Sequence, residues 1–313
     1  MSGRFSEQAM MEAMREVAAS LGVSSEDAQL LRLTNNAVFA LPRSGLVIRI
    51  ARTHRLRDRV TKVVRLAHWF ADIDAPTIRL APGVEQPVEV GTLAASVWEY
   101  LPPGSPTPTL EDLGHVLREF HSLGLPPFPL PTWDPVADAR KRLADADGLG
   151  GSDRDFLTQW CDRLEPQLVA LNQRTKEGLI HGDAHLSNLL KEPSGRTVLC
   201  DFDATCVGPW QADLAAVAVG ERRFGRTGAH ELLAAAYGHD VTSDPSWPLL
   251  REARELKMIV AAVPLLTTSA EVSAEFDDRL RSIREGNHGK HWKPFADLAT
   301  PGSRSPCSNR GCG

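Results

Sequence analysis

The chain has 313 residues, 42% of them hydrophobic and 24% charged, which suits a protein with a sizeable core and is long enough for two lobes. Its 35 Lys and Arg stand against 40 Asp and Glu, a formal net charge of −5, and no basic cluster dominates, which argues against a nucleic-acid partner. The longest apolar stretch, Met258 to Leu266, is too short to span a bilayer and contains Pro264. Met1 to Met14 lacks the apolar segment of a signal peptide, so no membrane partner and a cytoplasmic location are expected.

In chain order, residues 6–20 carry apolar positions at three- and four-residue steps and predict a helix. Gln29–Leu33, Ala37–Leu41 and Leu46–Ala51 predict strands. The last two are joined by Pro42-Arg43-Ser44-Gly45, a turn composition that makes them an antiparallel hairpin. A helix follows from about Arg55 to Ile73. The arginines between Arg49 and Arg65 alternate with apolar residues, which reads as the solvated face of an amphipathic helix. Thr77–Leu80, Gln86–Val90 and Ala94–Tyr100 predict further short strands, broken at Pro82-Gly83 and Gly91. A helix packed on one antiparallel sheet makes a small α+β lobe over residues 1–101.

Leu101-Pro102-Pro103-Gly104-Ser105-Pro106 is a punctuated connector, after which the pattern turns helical. Thr109-Leu110-Glu111-Asp112, Asp134-Pro135 and Ser152-Asp153 read as helix starts, Gly124 lies past the end of the first of these helices, and Trp247 to Arg284 is mostly helical. This larger, mainly helical lobe is expected over residues 102–298, and the Gly-, Ser- and Pro-rich residues 299–313 as a disordered tail. Five cysteines, Cys161, Cys200, Cys206, Cys307 and Cys312, show no zinc spacing, and their odd number argues against a disulfide framework. Cys200 lies in an apolar run and is expected to act as a buried small hydrophobe.

The chemistry concentrates between Gly178 and Thr205. There Leu179-Ile180 leads into His181-Gly182-Asp183-Ala184-His185-Leu186-Ser187-Asn188, and Val198-Leu199-Cys200 leads into Asp201-Phe202-Asp203. Strand-like runs that end in several carboxylates need a cation or donors to compensate them. The oxygens of Asn188 and Asp201 suit Mg²⁺, which takes one or two carboxylates and completes its shell with water and phosphate. Four residues separate Asp183 from Asn188, and Asp201 follows Asn188 by 13 positions. That is the His-x-Asp-x-x-x-x-Asn arrangement of phosphoryl transfer, in which the loop Asp takes the proton of an attacking hydroxyl and the other groups hold metal.

At these residues the sequence resembles the aminoglycoside phosphotransferase family, small-molecule kinases of the protein-kinase-like fold related to choline and homoserine kinases. The likeness rests on His181-Gly182-Asp183 to Asn188, on Asp201-Phe202-Asp203, and on Gly208-Pro209 followed by Asp213-Leu214-Ala215. It implies a two-lobed α+β fold with a small antiparallel-sheet N-lobe and a larger helical C-lobe. It further implies an O-phosphotransferase that moves phosphate from ATP or GTP, with Mg²⁺, to a hydroxyl of a small molecule, an aminoglycoside-type antibiotic first among these. A sugar or amino alcohol is the alternative acceptor, bound within about Gly208 to Arg284.

Carried over residue by residue, the resemblance makes Asp183 the catalytic base, Asn188 and Asp201 metal ligands, and Asp203 either a third ligand or a support for Asp201. His181 holds the loop and Asp213 anchors it, while His185 faces solvent or nucleotide phosphate. Thr34-Asn35-Asn36-Ala37-Val38-Phe39 looks like the phosphate-covering loop, with Asn36 beside the phosphates, although the usual glycines are missing. Arg49 in Val47-Ile48-Arg49-Ile50 stands where the family places its phosphate-binding cation, a role its bidentate fork fits. Trp98-Glu99-Tyr100-Leu101 matches the connector whose backbone, at Glu99 and Leu101, holds adenine. Kinases pair the strand cation with a Glu on the next helix, yet no Glu lies between Arg49 and Val84. The acids from Glu271 to Asp278 form a solvated helix face or grip a cationic acceptor. Two other readings compete. His181, Asp183 and His185 could ligate zinc or iron in a hydrolase, which leaves Asn188 and Asp201 unexplained. A catalytically silent kinase fold would bind nucleotide without transferring phosphate.

Overall fold

The computed structural model describes residues 6–33, 36–52, 57–102, 107–144, 146–175, 178–267 and 269–298. Thr34 and Asn35 of the phosphate-covering loop, most of the 101–106 connector and the 299–313 tail lie outside the described residues. The chain divides into two compact units, residues 1–131 with 178–207, and residues 132–177 with 208–313.

The first unit opens with α1, Glu7–Ser20, where the Ser6 hydroxyl accepts from the Ala9 N–H at 3.2 Å and caps the helix. Its Met10, Met14 and Val17 bury against Phe39, Leu41, Ile48, Ile50 and Val97 of the sheet. Strands β1 (Gln29–Leu33), β2 (Asn36–Leu41) and β3 (Leu46–Ala51) follow, and after α2 (Arg57–Asp72) come β4 (Val88–Val90) and β5 (Leu93–Glu99). They form one antiparallel sheet in the order β1-β2-β3-β5-β4. The β2–β3 hairpin turns at Gly45, whose φ of +67° glycine adopts without strain. A bulge shifts the β1–β2 register between Leu30 and Arg32, so that Arg32 and not Leu31 stands opposite Val38.

Thr77–Leu80 is not a strand. Pro76 and Pro82 bound too short a run for a ladder, and the segment makes single bridges, Thr77 to Leu199 and Leu80 to Trp98. The Ile78 N–H donates to the Leu199 carbonyl at 3.0 Å, and the Glu99 N–H donates to the Arg79 carbonyl at 3.0 Å, so this stretch ties the sheet to the catalytic segment. β4 starts at Val88, later than Gln86, because Pro87 has no N–H and the Gln86 side chain itself bonds the Val97 backbone, at 2.8 and 2.7 Å.

Helix α3, Leu110–His121, begins with a capping box in which Thr109 and Asp112 exchange bonds. It is followed in the first unit by the catalytic segment. There β6 (Gly178–Ile180), β7 (Leu189–Lys191), β8 (Thr197–Leu199) and β9 (Cys206–Gly208) pair as β6 with β9 and β7 with β8.

The second unit is helical: α4 (Pro135–Ala144), α5 (Gly151–Arg174), α6 (Gln211–Phe224), α7 (Ala229–Tyr237), α8 (Trp247–Val260) and α9 (Ala270–Arg284). Trp160, Leu256, Phe276 and Trp292 centre its core. Arg223 and Arg279 are buried there over the Trp292 ring, at 4.3 and 5.0 Å, and are balanced by Glu255 and Glu275. Glu275 and Asp278 of the acidic helix thus have partners within the unit, Asp278 pairing with Arg281 at 2.7 Å. Among the described residues no helix is long and apolar enough to cross a membrane.

Candidate active site

The 181–188 loop is held by two of its own side chains, His181 and Asn188, bonded to backbone. The fully buried His181 ring pairs through Nε2 with the Cys200 carbonyl at 2.9 Å and through Nδ1 with the Asp183 N–H at 3.3 Å. A carbonyl only accepts and an N–H only donates, which assigns the neutral Nε2–H tautomer and makes the ring a clamp rather than a proton carrier. The Asn188 amide donates to the Asp183 carbonyl at 3.0 Å, and the Cys200 N–H donates to the Asn188 carbonyl at 2.9 Å. Asp183, Asn188 and the strand end before Asp201 are therefore joined by consecutive short bonds. The Asp183 carboxylate stays about a third exposed, with His185 Nε2 at 3.7 Å from its Oδ2.

Removing the His181 ring would orphan the Cys200 carbonyl and the Asp183 N–H. His181→Ala is expected to lower unfolding free energy by about 2–4 kcal/mol. Urea unfolding checks this, and a loss below about 1 kcal/mol would show that the ring is no clamp.

Asp201 has φ +67°, a left-handed conformation uncommon outside glycine, and it begins a short 3-10 turn over Phe202–Ala204. Phe202 anchors this turn among Phe70 of α2 (5.1 Å between centroids), His181 (6.0 Å) and Trp98 (6.1 Å). Arg49 Nη2 of β3 donates to Asp201 Oδ1 and lies equally close to Asp203 Oδ2, each at 2.8 Å. Burial opposes the guanidinium charge, but the carboxylates of Asp203 and Asp201 outweigh it and hold the Arg49 pKa above its ordinary value. Burial, with Asp201 next in importance, pushes the Cys200 thiol up to about 12.

Asp203 Oδ2 collects further donors. Asn36 Nδ2 donates to it at 3.2 Å, and Arg59 Nη1 of α2 lies 3.9 Å away. Arg32, turned by the bulge, brings Nη1 to 3.6 Å from Asp201 Oδ2. Lys62 of α2 donates from Nζ to two carbonyls, Asp203 at 2.7 Å and Thr205 at 2.9 Å.

The structure thus brings together Asn36, Arg49, His181, Asp183, Asn188, Asp201 and Asp203. Glu99 ends β5 with its N–H bonded to the Arg79 carbonyl, and Leu101 follows just beyond. Asp213 is buried on α6 of the second unit. Arg32, Arg59 and Lys62 were missed by sequence reasoning, which took the Arg-rich run from Arg49 to Arg65 for a solvated helix face and gave Arg32 no role. The available signal was the i, i+3 spacing of Arg59 and Lys62 on a helix that has no Glu.

The donor set suits a hard cation. Asn188 commits its amide nitrogen to Asp183, so Oδ1 is its ligand-competent atom, and Asp201 adds carboxylate oxygens. A zinc or iron reading fits poorly, because both His181 ring nitrogens are engaged. Among the described residues no group of three or more His, Cys, Asp or Glu could hold a metal by itself.

The family model described as "Phosphotransferase enzyme family" matches residues 29–256. Among curated proteins, no sequence matches the chain. Among solved structures, an aminoglycoside phosphotransferase from Streptomyces rimosus is 18% identical, with a TM-score of 0.59 over 79% of this chain and 98% of that one. A choline/ethanolamine kinase family protein from Mesorhizobium loti is 17% identical, with a TM-score of 0.59 over 87% and 94%. A spectinomycin phosphotransferase, solved with ADP and spectinomycin, is 16% identical, with a TM-score of 0.55 over 87% and 93%. These likenesses are to proteins of the protein-kinase-like fold.

Proposed function

The chain belongs to the phosphotransferase enzyme family and is a small-molecule kinase; from that premise we propose that it transfers the γ-phosphoryl group of ATP or GTP to a hydroxyl of an aminoglycoside-type antibiotic. The observation that supports this reading is the loop in which Asn188 bonds Asp183 while its carbonyl receives the N–H of Cys200, the residue before Asp201. Asp183 orients the acceptor hydroxyl and takes its proton as the oxygen attacks phosphorus in line. Arg49, bonded to both aspartates of the Asp201–Asp203 turn, faces the nucleotide phosphates, with Asn36 beside it. Asn188 and Asp201 would hold Mg²⁺, which supplies neutralisation of phosphate charge. Asp203 braces Arg49, His181 supports the loop, and the backbone at Glu99 and Leu101 receives the base.

We assign nucleotide binding to residues 1–101, acceptor binding to 102–298 and the reaction to the cytoplasm. The similarity to a choline/ethanolamine kinase family protein makes an amino alcohol the second acceptor class. Purified protein with Mg-ATP or Mg-GTP, screened against aminoglycosides, amino alcohols and sugars by mass spectrometry, tests the proposal. A single phosphate added to an aminoglycoside is expected. Transfer only to an amino alcohol or sugar replaces the acceptor, and no transfer despite nucleotide binding favours the silent fold. Asp201→Asn is expected to weaken Mg²⁺-dependent nucleotide affinity about tenfold or more, roughly 1.4 kcal/mol, by calorimetry with and without the ion.

A further inference from the structure

Arg49 needs an anion to hold it extended, and on α2 the carboxylates are confined to Asp58 and Asp72, at its two ends. In place of an acid the helix presents Lys62, and Lys62 reaches backbone. Its ammonium spans the carbonyls of Asp203 (2.7 Å) and Thr205 (2.9 Å), at the end of the 3-10 turn that follows Asp201. The carboxylate that meets Arg49 comes from that same turn, as Asp203 Oδ2 at 2.8 Å. The strand cation is thus braced by the metal-side loop, and the helix contributes a positive charge to hold that loop.

We infer that Lys62 is a positioning residue: it ties α2 to the Asp201–Thr205 turn, so that Asp203 does for Arg49 what a helix acid would otherwise do. Three observations converge. An ammonium on two carbonyls makes charge-assisted bonds to the same turn whose two aspartate side chains meet Arg49. The left-handed backbone of Asp201 persists only where its surroundings over-determine it, and Lys62 supplies two of the restraints, as Phe202 packed on Phe70 of the same helix supplies another. Arg59, one turn earlier on α2, has Nη1 3.9 Å from Asp203 Oδ2 and adds a positive charge from the same side. The turn is therefore coupled to α2 through a cation, and a shift of the helix moves the groups that meet the phosphates.

This inference rests on the kinase reading for its consequence, but the tie itself is measurable without nucleotide. In hydrogen–deuterium exchange of the full-length, nucleotide-free protein, Lys62→Met is expected to speed exchange of the 200–207 amides about tenfold, with Lys62→Arg within about twofold of wild type. Calorimetry with the non-hydrolysable analogue AMP-PNP reads the consequence. Lys62→Met is expected to cut the Mg²⁺ enhancement of affinity about tenfold and to leave Mg²⁺-free affinity within about threefold, with Lys62→Arg restoring the enhancement. Unchanged exchange in Lys62→Met overturns the tie. Faster exchange with an unaltered Mg²⁺ enhancement overturns the positioning role and leaves a structural lysine. A wild-type protein that binds no AMP-PNP sinks the kinase reading and the nucleotide half of the inference, while exchange still decides the tie. Should Lys62→Met not fold, Lys62→Gln gives the same comparison.

Discussion

Asp183→Asn is expected to lower turnover by roughly 10²–10⁴ while nucleotide affinity stays near wild type. The substitution keeps shape and volume. The bonds that place the residue use its backbone, since its N–H reaches His181 Nδ1 and its carbonyl receives the Asn188 amide. Both of these bonds run through the backbone, which Asp183→Asn leaves unchanged. The Asp183 carboxylate is about a third exposed, and Arg49 and Asp201 meet through a separate contact. Rates of phosphate transfer to the acceptor found in the screen, together with calorimetry on the nucleotide, give the two numbers. Near-native turnover would remove Asp183 from the reaction. A parallel fall in nucleotide affinity would assign it to binding instead.

Gly182→Ala should destabilise the protein by about 2–5 kcal/mol and take activity with it. Two costs add at this position. The backbone has φ +78°, where an L-residue loses roughly 1–2 kcal/mol, and a Cβ built there would run into the Ala204 carbonyl oxygen. That carbonyl belongs to the Phe202–Ala204 turn held by Lys62 and Phe202, so it cannot retreat without disturbing Asp201 and Asp203. Gly195 separates the two costs. It has φ +88° in an exposed turn with nothing within 4 Å of an added Cβ, so Gly195→Ala should cost only about 1–2 kcal/mol. Urea unfolding of the two variants side by side makes the comparison. Equal losses would mean that Gly182 does not pack tightly against the Phe202–Ala204 turn.

The same contact shows why a Gly follows His181 in this chain: the loop crosses the Asp-Phe-Asp turn too closely for any side chain. Reading the sequence, one can see that His181, Gly182 and Asp183 belong to one loop, and that their spacing to Asn188 and Asp201 matches phosphoryl transfer. The reason for the glycine becomes visible only when Ala204 lies against it. Likewise the missing helix Glu is legible as an absence between Arg49 and Val84, but nothing in that stretch names Asp203 as the partner. Thr77–Leu80 has strand composition, yet its flanking prolines leave it to bridge the sheet and the catalytic segment with single bonds. Secondary structure with local causes was readable: the helix over residues 6–20, the helix start at Thr109 and the hairpin at Gly45 each depend on residues within a few positions.

What the sequence by itself determined is the chemical inventory and its local order: a base, an amide and an acid at kinase spacing, after a small antiparallel-sheet lobe. Those features come from side-chain type and short-range periodicity, which the chain carries wherever it folds. What tertiary structure alone decided is which charges meet. Lys62 lies 141 positions from Asp203, and Arg49 lies 152 from Asp201. Pairings across such distances follow from packing, from the bulge that turns Arg32 and from the Phe70–Phe202 contact that sets α2 on the turn. None of these leaves a periodic trace in the sequence, because an ion pair is chosen by proximity in space, and proximity is settled by the core.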